Sequence, residues 1–191
     1  MKTLLVSLLL IQFLDTAAQK CRFTIDKKDE FTNEKVNAIA RANSGWTWTS
    51  SKKGAKYFIE MTFLMAGEDQ KPMTTKDSVM IKLADGTILH LKPIADVLPV
   101  NGAVSTTTGR TGTTSKYSTR NTAVTKTTSV STFSPTYEVD RSTFEQLSKS
   151  QVTAIRYGFT GKAMDFDLTK RPLSKTAPDL VEDAKCILGL N

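Results

Sequence analysis

The chain is poor in the side chains from which most catalytic centres are built. Its 191 residues include one histidine, His90, and two cysteines, Cys21 and Cys186. A Ser-His-Asp or Cys-His constellation would have to rest on His90 alone, and no Gly-x-Ser-x-Gly elbow supplies a nucleophile. Catalytic zinc takes several His or Cys ligands, which this composition does not offer. Neither a glycine-rich phosphate loop nor an Asp-x-Asp-x-Asp-Gly calcium loop occurs. The sequence therefore predicts no cofactor and no metal. Beyond the first twenty residues no hydrophobic run approaches the roughly 20 residues a membrane helix needs, so no transmembrane segment is expected in the mature chain. Residues 101–136 contain no Asp or Glu at all.

What is present begins with an address. Met1 and Lys2 precede an apolar run from Thr3 to Leu14, followed by small residues at Thr16, Ala17 and Ala18. That order predicts a secretory signal peptide over residues 1–18. The mature chain, 19–191, is then exported to the periplasm or the extracellular space, and its length suits a single domain. The two cysteines sit at its extreme ends. An even count in an exported chain favours a Cys21–Cys186 disulfide over two packed thiols. Closing so long a loop is worth up to about 5 kcal/mol in the chain-entropy model. Lipidation of Cys21 would need a small residue directly before it, where Lys20 stands.

Apolar periodicity predicts an α+β domain: an antiparallel sheet of five to seven strands, with a short helix and a C-terminal helix packed on one face. Cys21, Phe23 and Ile25 alternate as a half-buried first strand. Residues 29–45 fit either a helix capped by Thr32 and stopped at Gly45, or a turn followed by a strand over 35–42. Trp46 and Trp48 share a strand face. The alternation of Tyr57, Ile59, Met61, Phe63 and Met65 is the strongest strand signal. A hairpin around Asp85-Gly86 keeps one clean apolar face only with a three-residue loop. That loop pairs Leu83 with Thr87, Ile81 with Leu89 and Val79 with Leu91, and sets His90 opposite Met80. Asp140 or Ser142 caps the short helix, strands follow over 152–159 and 163–168 across a turn at Thr160-Gly161-Lys162, and Gly189 ends a terminal helix striped by Leu180, Ala184, Ile187 and Leu188. Over half of residues 101–136 are Ser or Thr. This stretch reads as a solvated basic excursion, part of which (123–133) pairs at a sheet edge.

The segment Cys21-Arg-Phe-Thr-Ile-Asp26-Lys-Lys-Asp29-Glu-Phe31-Thr32-Asn-Glu-Lys35 carries a resemblance. So do the Asp85-Gly86 strand pair, the passage 144–157 with Thr153-Ala-Ile-Arg156 at its centre, and the terminal Ala184-Lys-Cys186-Ile-Leu. Together they resemble uncharacterised small secreted proteins of Bacteroidota-type bacteria. The resemblance implies the exported address and favours a strand over 35–42; it implies no activity. Proteins of that kind often carry glycine where Asn33 stands.

The net charge of +7 and a pI near 9.4 suit anionic partners. Arg110, Lys116, Arg120 and Lys126, with Tyr117 among them, are the candidate contacts for an anionic envelope component. No nucleic-acid module is present, so that partner is not expected, and nothing speaks to oligomeric state. Trp46 and Trp48 are either core or a sugar-stacking platform. Asp165 with Asp167, and Asp26 with Asp29, are the carboxylate pairs from which a calcium site or a glycosidase centre could be assembled. Two functions result: a non-enzymatic envelope or extracellular binding or scaffolding protein, and, as the alternative, a carboxylate-based hydrolase of envelope polysaccharide.

Overall fold

A computed structural model describes residues 21–43, 46–67, 70–115, 118–159, 162–171 and 173–189, with backbone alone at 43, 106–115, 118–124, 126, 159 and 162. Residues 1–18, where a signal peptide is expected, and Gly45, Lys116, Tyr117, Thr160 and Gly161 lie outside the described residues.

The first four strands form an antiparallel meander: β1 (Ile25–Lys28), β2 (Lys35–Asn43), β3 (Trp46–Lys53) and β4 (Lys56–Ala66). Residues 35–42 are thus strand rather than helix. Asp29 explains why no cap forms at Thr32: its carboxylate accepts the backbone N–H groups of Phe31 and Thr32, closing a turn. Asn33 completes that turn at a φ of 58°, a left-handed conformation open to glycine and asparagine. The first strand differs from expectation. It starts at Ile25, not Cys21, and all four of its residues are exposed, because β1 is an edge strand with nothing packed on either face.

Beyond β4 the sheet gains β8 (Ser118–Phe133) and then β7 (Val100–Ser115), giving the order β1-β2-β3-β4-β8-β7. The edge of β4 is shared: Phe63 to Ala66 pair with β8, and Tyr57 to Glu60 pair with β9 (Thr136–Val139). Pro135 marks the break, consistent with its lack of a ladder donor. A second sheet, ordered β11-β10-β5-β6, joins β5 (Ser78–Leu83), β6 (Ile88–Leu91), β10 (Val152–Phe159) and β11 (Lys162–Asp167). The expected single sheet of five to seven strands is therefore eleven strands in two sheets. The Asp85-Gly86 hairpin packs its strands with β10 rather than extending the first meander, and the threonine-rich stretch adds two long strands. The hairpin register is as read: Val79 opposes Leu91, Ile81 opposes Leu89 and Met80 opposes His90, with Gly86 at φ 91°.

The two sheets share one apolar core. Phe63 of β4 meets Tyr157 of β10 at a ring-centroid distance of 4.1 Å, and the Tyr157 hydroxyl donates to the Met61 sulfur. Helix α1 (Arg141–Leu147) buries Phe144 and Leu147. Asp140 occupies its N-cap position without a side-chain cap bond, and Ser142 lies inside the helix, so no capping box forms. Helix α2 (Thr176–Leu188) packs on β2, β3, β10 and α1. Gly189 terminates it at φ 73°.

Candidate functional site

The outer face of the second sheet holds a surface groove. Alternation that sends Ile81, Ile155 and Tyr157 into the core turns Met80, Lys82, Ala154 and Arg156 outward. The strand registers align His90, Met80, Arg156 and Asp165 in one row across the four strands. A groove of about 450 Å³ lies here, lined by Met80, Lys82, Ile88, Arg156, Asp165 and Asp167. Arg156 forks onto Asp165 through Nε at 2.6 Å and Nη2 at 2.8 Å. That fork holds the Asp165 carboxyl below the ordinary aspartate range. Asp167 is held down too, first by the Thr169 hydroxyl, then by the Thr169 N–H and Lys170. A glycosidase acid needs its pKa raised so that a proton is available to donate. Both carboxylates on this face are shifted the other way.

The second carboxylate pair is equally occupied. Asp26 accepts from the Asn37 amide and pairs with Lys35 at 3.4 Å. Asp29 faces the turn N–H groups and Lys53 at 3.1 Å, and the Thr32 N–H leads in pushing its pKa well down. No group of three or more His, Cys, Asp or Glu side chains suited to a metal occurs among the described residues.

Trp46 and Trp48 do not form a stacking platform. They are 2% and 1% exposed, closed in by β10 and helix α2. Each indole N–H finds a partner inside: Trp46 donates to the Tyr157 hydroxyl at 3.3 Å and Trp48 to the Ser50 hydroxyl at 2.8 Å. A strand face opposed by a second sheet has no room for a pyranose.

The cysteines do meet. Cys21 and Cys186 are joined by a disulfide with Cα atoms 5.6 Å apart, tying the segment before β1 to helix α2. Beside it Arg41 reaches from β2 to fork onto Asp183, which is 1% exposed. Burial pushes the Asp183 carboxyl up, against the pull of Arg41. This pair bolts the helix to the sheet at the floor of a second groove of about 390 Å³, lined also by Arg22, Asp179 and Glu182.

The remaining candidates fall on the β7–β8 ribbon, and the register orders them. Arg110 pairs with Thr122, Gly112 with Arg120 and Thr106 with Lys126. In an antiparallel ladder directly opposed residues share a face and successive residues alternate. Arg110, Arg120 and Lys126 therefore occupy register positions on one face, together with Val100, Val104, Val124 and Val130. The other face takes Ala103, Ser105, Thr107, Thr111, Asn121, Thr125 and Thr127, without a charge. At the root of the ribbon Ser131 and Phe133 on this uncharged side are buried. At the root of the ribbon the even-numbered side is the one turned from the core, and Val100 and Val104 on it are 68% and 43% exposed. Lys116 lies outside the described residues.

The valines were missed in the sequence as members of this site. Their signal was parity: every cation and every valine named on that face has an even number, and the hairpin register preserves parity across its two strands. Without the register, period-two order in a Ser/Thr-rich segment has no reference face.

No protein-family profile, curated protein or solved structure matches this chain.

Proposed function

We propose that this is a non-enzymatic binding or scaffolding protein, exported to the envelope or the cell exterior, that engages anionic envelope components through the β7–β8 ribbon. One observation carries the reading. Arg110, Arg120 and Lys126 hold register positions on one face of a ribbon whose stretch of chain, residues 101–136, contains no acidic residue. Elsewhere several cations are met by carboxylates: Arg156 by Asp165, Arg41 by Asp183, Lys56 by Glu138 and Lys53 by Asp29. An uncompensated row of one sign raises the local concentration of the opposite charge. The disulfide and the absence of any helix long and apolar enough to cross a membrane among the described residues are compatible with this address. No observation favours the hydrolase, since the candidate acids are tied in ion pairs.

Retention on immobilised dextran sulfate tests the proposal. Replacing Arg110, Lys116, Arg120 and Lys126 together by Gln is expected to abolish retention. The unaltered protein is expected to elute earlier as salt rises towards about 0.15 M, where charges more than about 8 Å apart are screened. Equal retention of both proteins would remove the ribbon from the functional argument.

A further inference from the structure

We infer that the anionic partner is a lipid bilayer surface, met by the face of the β7–β8 ribbon on which Val100 and Val104 are exposed. The inference rests on the proposed engagement of anions by this ribbon and adds what the valines contribute. A soluble polyanion requires cations alone and gains nothing from exposed aliphatic side chains beside them. This face supplies both. The rows across the sheet run Leu64, Thr132, Val100 and then Ala66, Val130, Gly102. Val104 follows two positions further along β7, and Leu98, two residues before that strand, is 72% exposed. The apolar end therefore lies at the root of the ribbon, and Lys126, Arg110 and Arg120 follow towards its tip.

Such a surface matches the layered chemistry of an anionic membrane, in which phosphate groups overlie acyl chains. Cations bind the headgroup layer while short aliphatic side chains enter the boundary beneath it. The acidic residues of the same outer sheet face, Glu60 and Glu138, lie towards the other end of β4 and pair across to β9 and β4. Glu138 is neutralised by Lys56 at 2.9 Å. Between them and the ribbon stand Thr62 and Leu64, so no carboxylate interrupts the patch. The valines also account for an otherwise unfavourable feature: Val100 and Val104 leave aliphatic surface in water on a strand rich in threonine, which fits the same backbone equally well.

The test uses the mature, oxidised protein and sedimentation with vesicles of phosphatidylcholine alone or mixed with phosphatidylglycerol. Dextran sulfate retention runs in parallel as a lipid-free anion. Two variants separate the contributions: Arg110→Gln/Arg120→Gln/Lys126→Gln, and Val100→Thr/Val104→Thr, whose near-isosteric residues retain strand preference. A denaturation midpoint matching that of the unaltered protein shows that each variant is folded; Val100→Thr alone serves if the double variant is not. The cation variant is expected to lose about 100-fold in affinity for the mixed vesicles. The valine variant is expected to lose about 10-fold there and to keep its dextran sulfate retention. If the valine variant binds the mixed vesicles as the unaltered protein does, or if the unaltered protein binds dextran sulfate and not vesicles, the lipid inference fails and the broader reading stands. If the cation variant retains binding to both materials, the broader reading fails with it.

Discussion

Strands β4 and β8 lie side by side in one sheet, yet they are built on opposite principles. In β4, Tyr57, Ile59, Met61 and Phe63 alternate with outward residues, and all four are buried at 6% exposure or less. In β8 only the last residues reach the core, where Phe133 stacks on Phe63 with ring centroids 5.4 Å apart. The rest of β8 is mostly Ser and Thr and pairs only with β7. Both strands are paired along their length, so pairing alone is not what separates them. The difference lies in what stands behind the ladder: a second sheet for β4, and solvent or a partner for the ribbon. A hydrogen-bonded strand needs β-compatible residues, whereas a stabilising one also needs apolar surface to bury.

The sharpest break of this comparison is Phe63→Ala. It removes a fully buried ring that touches both Phe133 and Tyr157, and should cost about 3–5 kcal/mol in urea denaturation. A loss under about 1 kcal/mol would mean that the core does not depend on the β4 face.

Asp29→Asn probes the opposite edge of the same sheet. Because the Thr32 N–H and Lys53 lower its pKa, the Asp29 carboxylate adds stability above the unfolded aspartate value and loses it as pH falls through the folded one. The variant should be less stable than the unaltered protein at neutral pH, and the gap should narrow as pH drops below about 4. A gap that is constant with pH would show that the turn, not the charge, is what matters.

Tyr137 on β9 continues the line of β8 along β4, and its fully buried hydroxyl has no hydrogen-bond partner among the described residues. Tyr137→Phe should therefore be neutral or stabilising by up to about 1 kcal/mol, since it relieves an unpaid desolvation. A clear loss in thermal unfolding would reveal a partner for that hydroxyl. The smallest effect belongs to the ribbon. Thr127 faces Ser105, with hydroxyl oxygens 3.1 Å apart on an exposed surface. Thr127→Ala should shift stability by less than about 0.5 kcal/mol, as exposed substitutions do. A larger shift would give the ribbon a structural role that its composition does not suggest.

Much of the body was legible from alternation alone, because one face of each strand had to be apolar. The β4 face, the Val79–Leu91 pairing, the Gly189 stop and the Cys21–Cys186 bond all follow from local pattern or count. Of the two candidate caps, Ser142 was not used because Asp140 marks the helix start two residues earlier. The Trp pair was ambiguous because burial depends on strand β10 and helix α2, more than a hundred residues away in the chain. The ribbon was least legible. Threonine suits both strand and solvated coil, and its pattern acquires meaning only once Phe133 fixes which face looks inward.

The disulfide makes the oxidised protein a closed loop that encloses the ribbon. Cys21 and Cys186 are 165 positions apart in a chain of 191 residues, and residues 100–133 fall inside the loop they close. A protease that cut once within the ribbon would therefore not divide the molecule. The N-terminal piece carrying β4 and the C-terminal piece carrying β10 would stay linked through sulfur and packed on each other through Phe63 and Tyr157. Such a nicked protein migrates as one species until it is reduced, and as two afterwards. The part of the chain assigned here to contact with the outside is also the part whose breakage the rest of the fold is wired to survive.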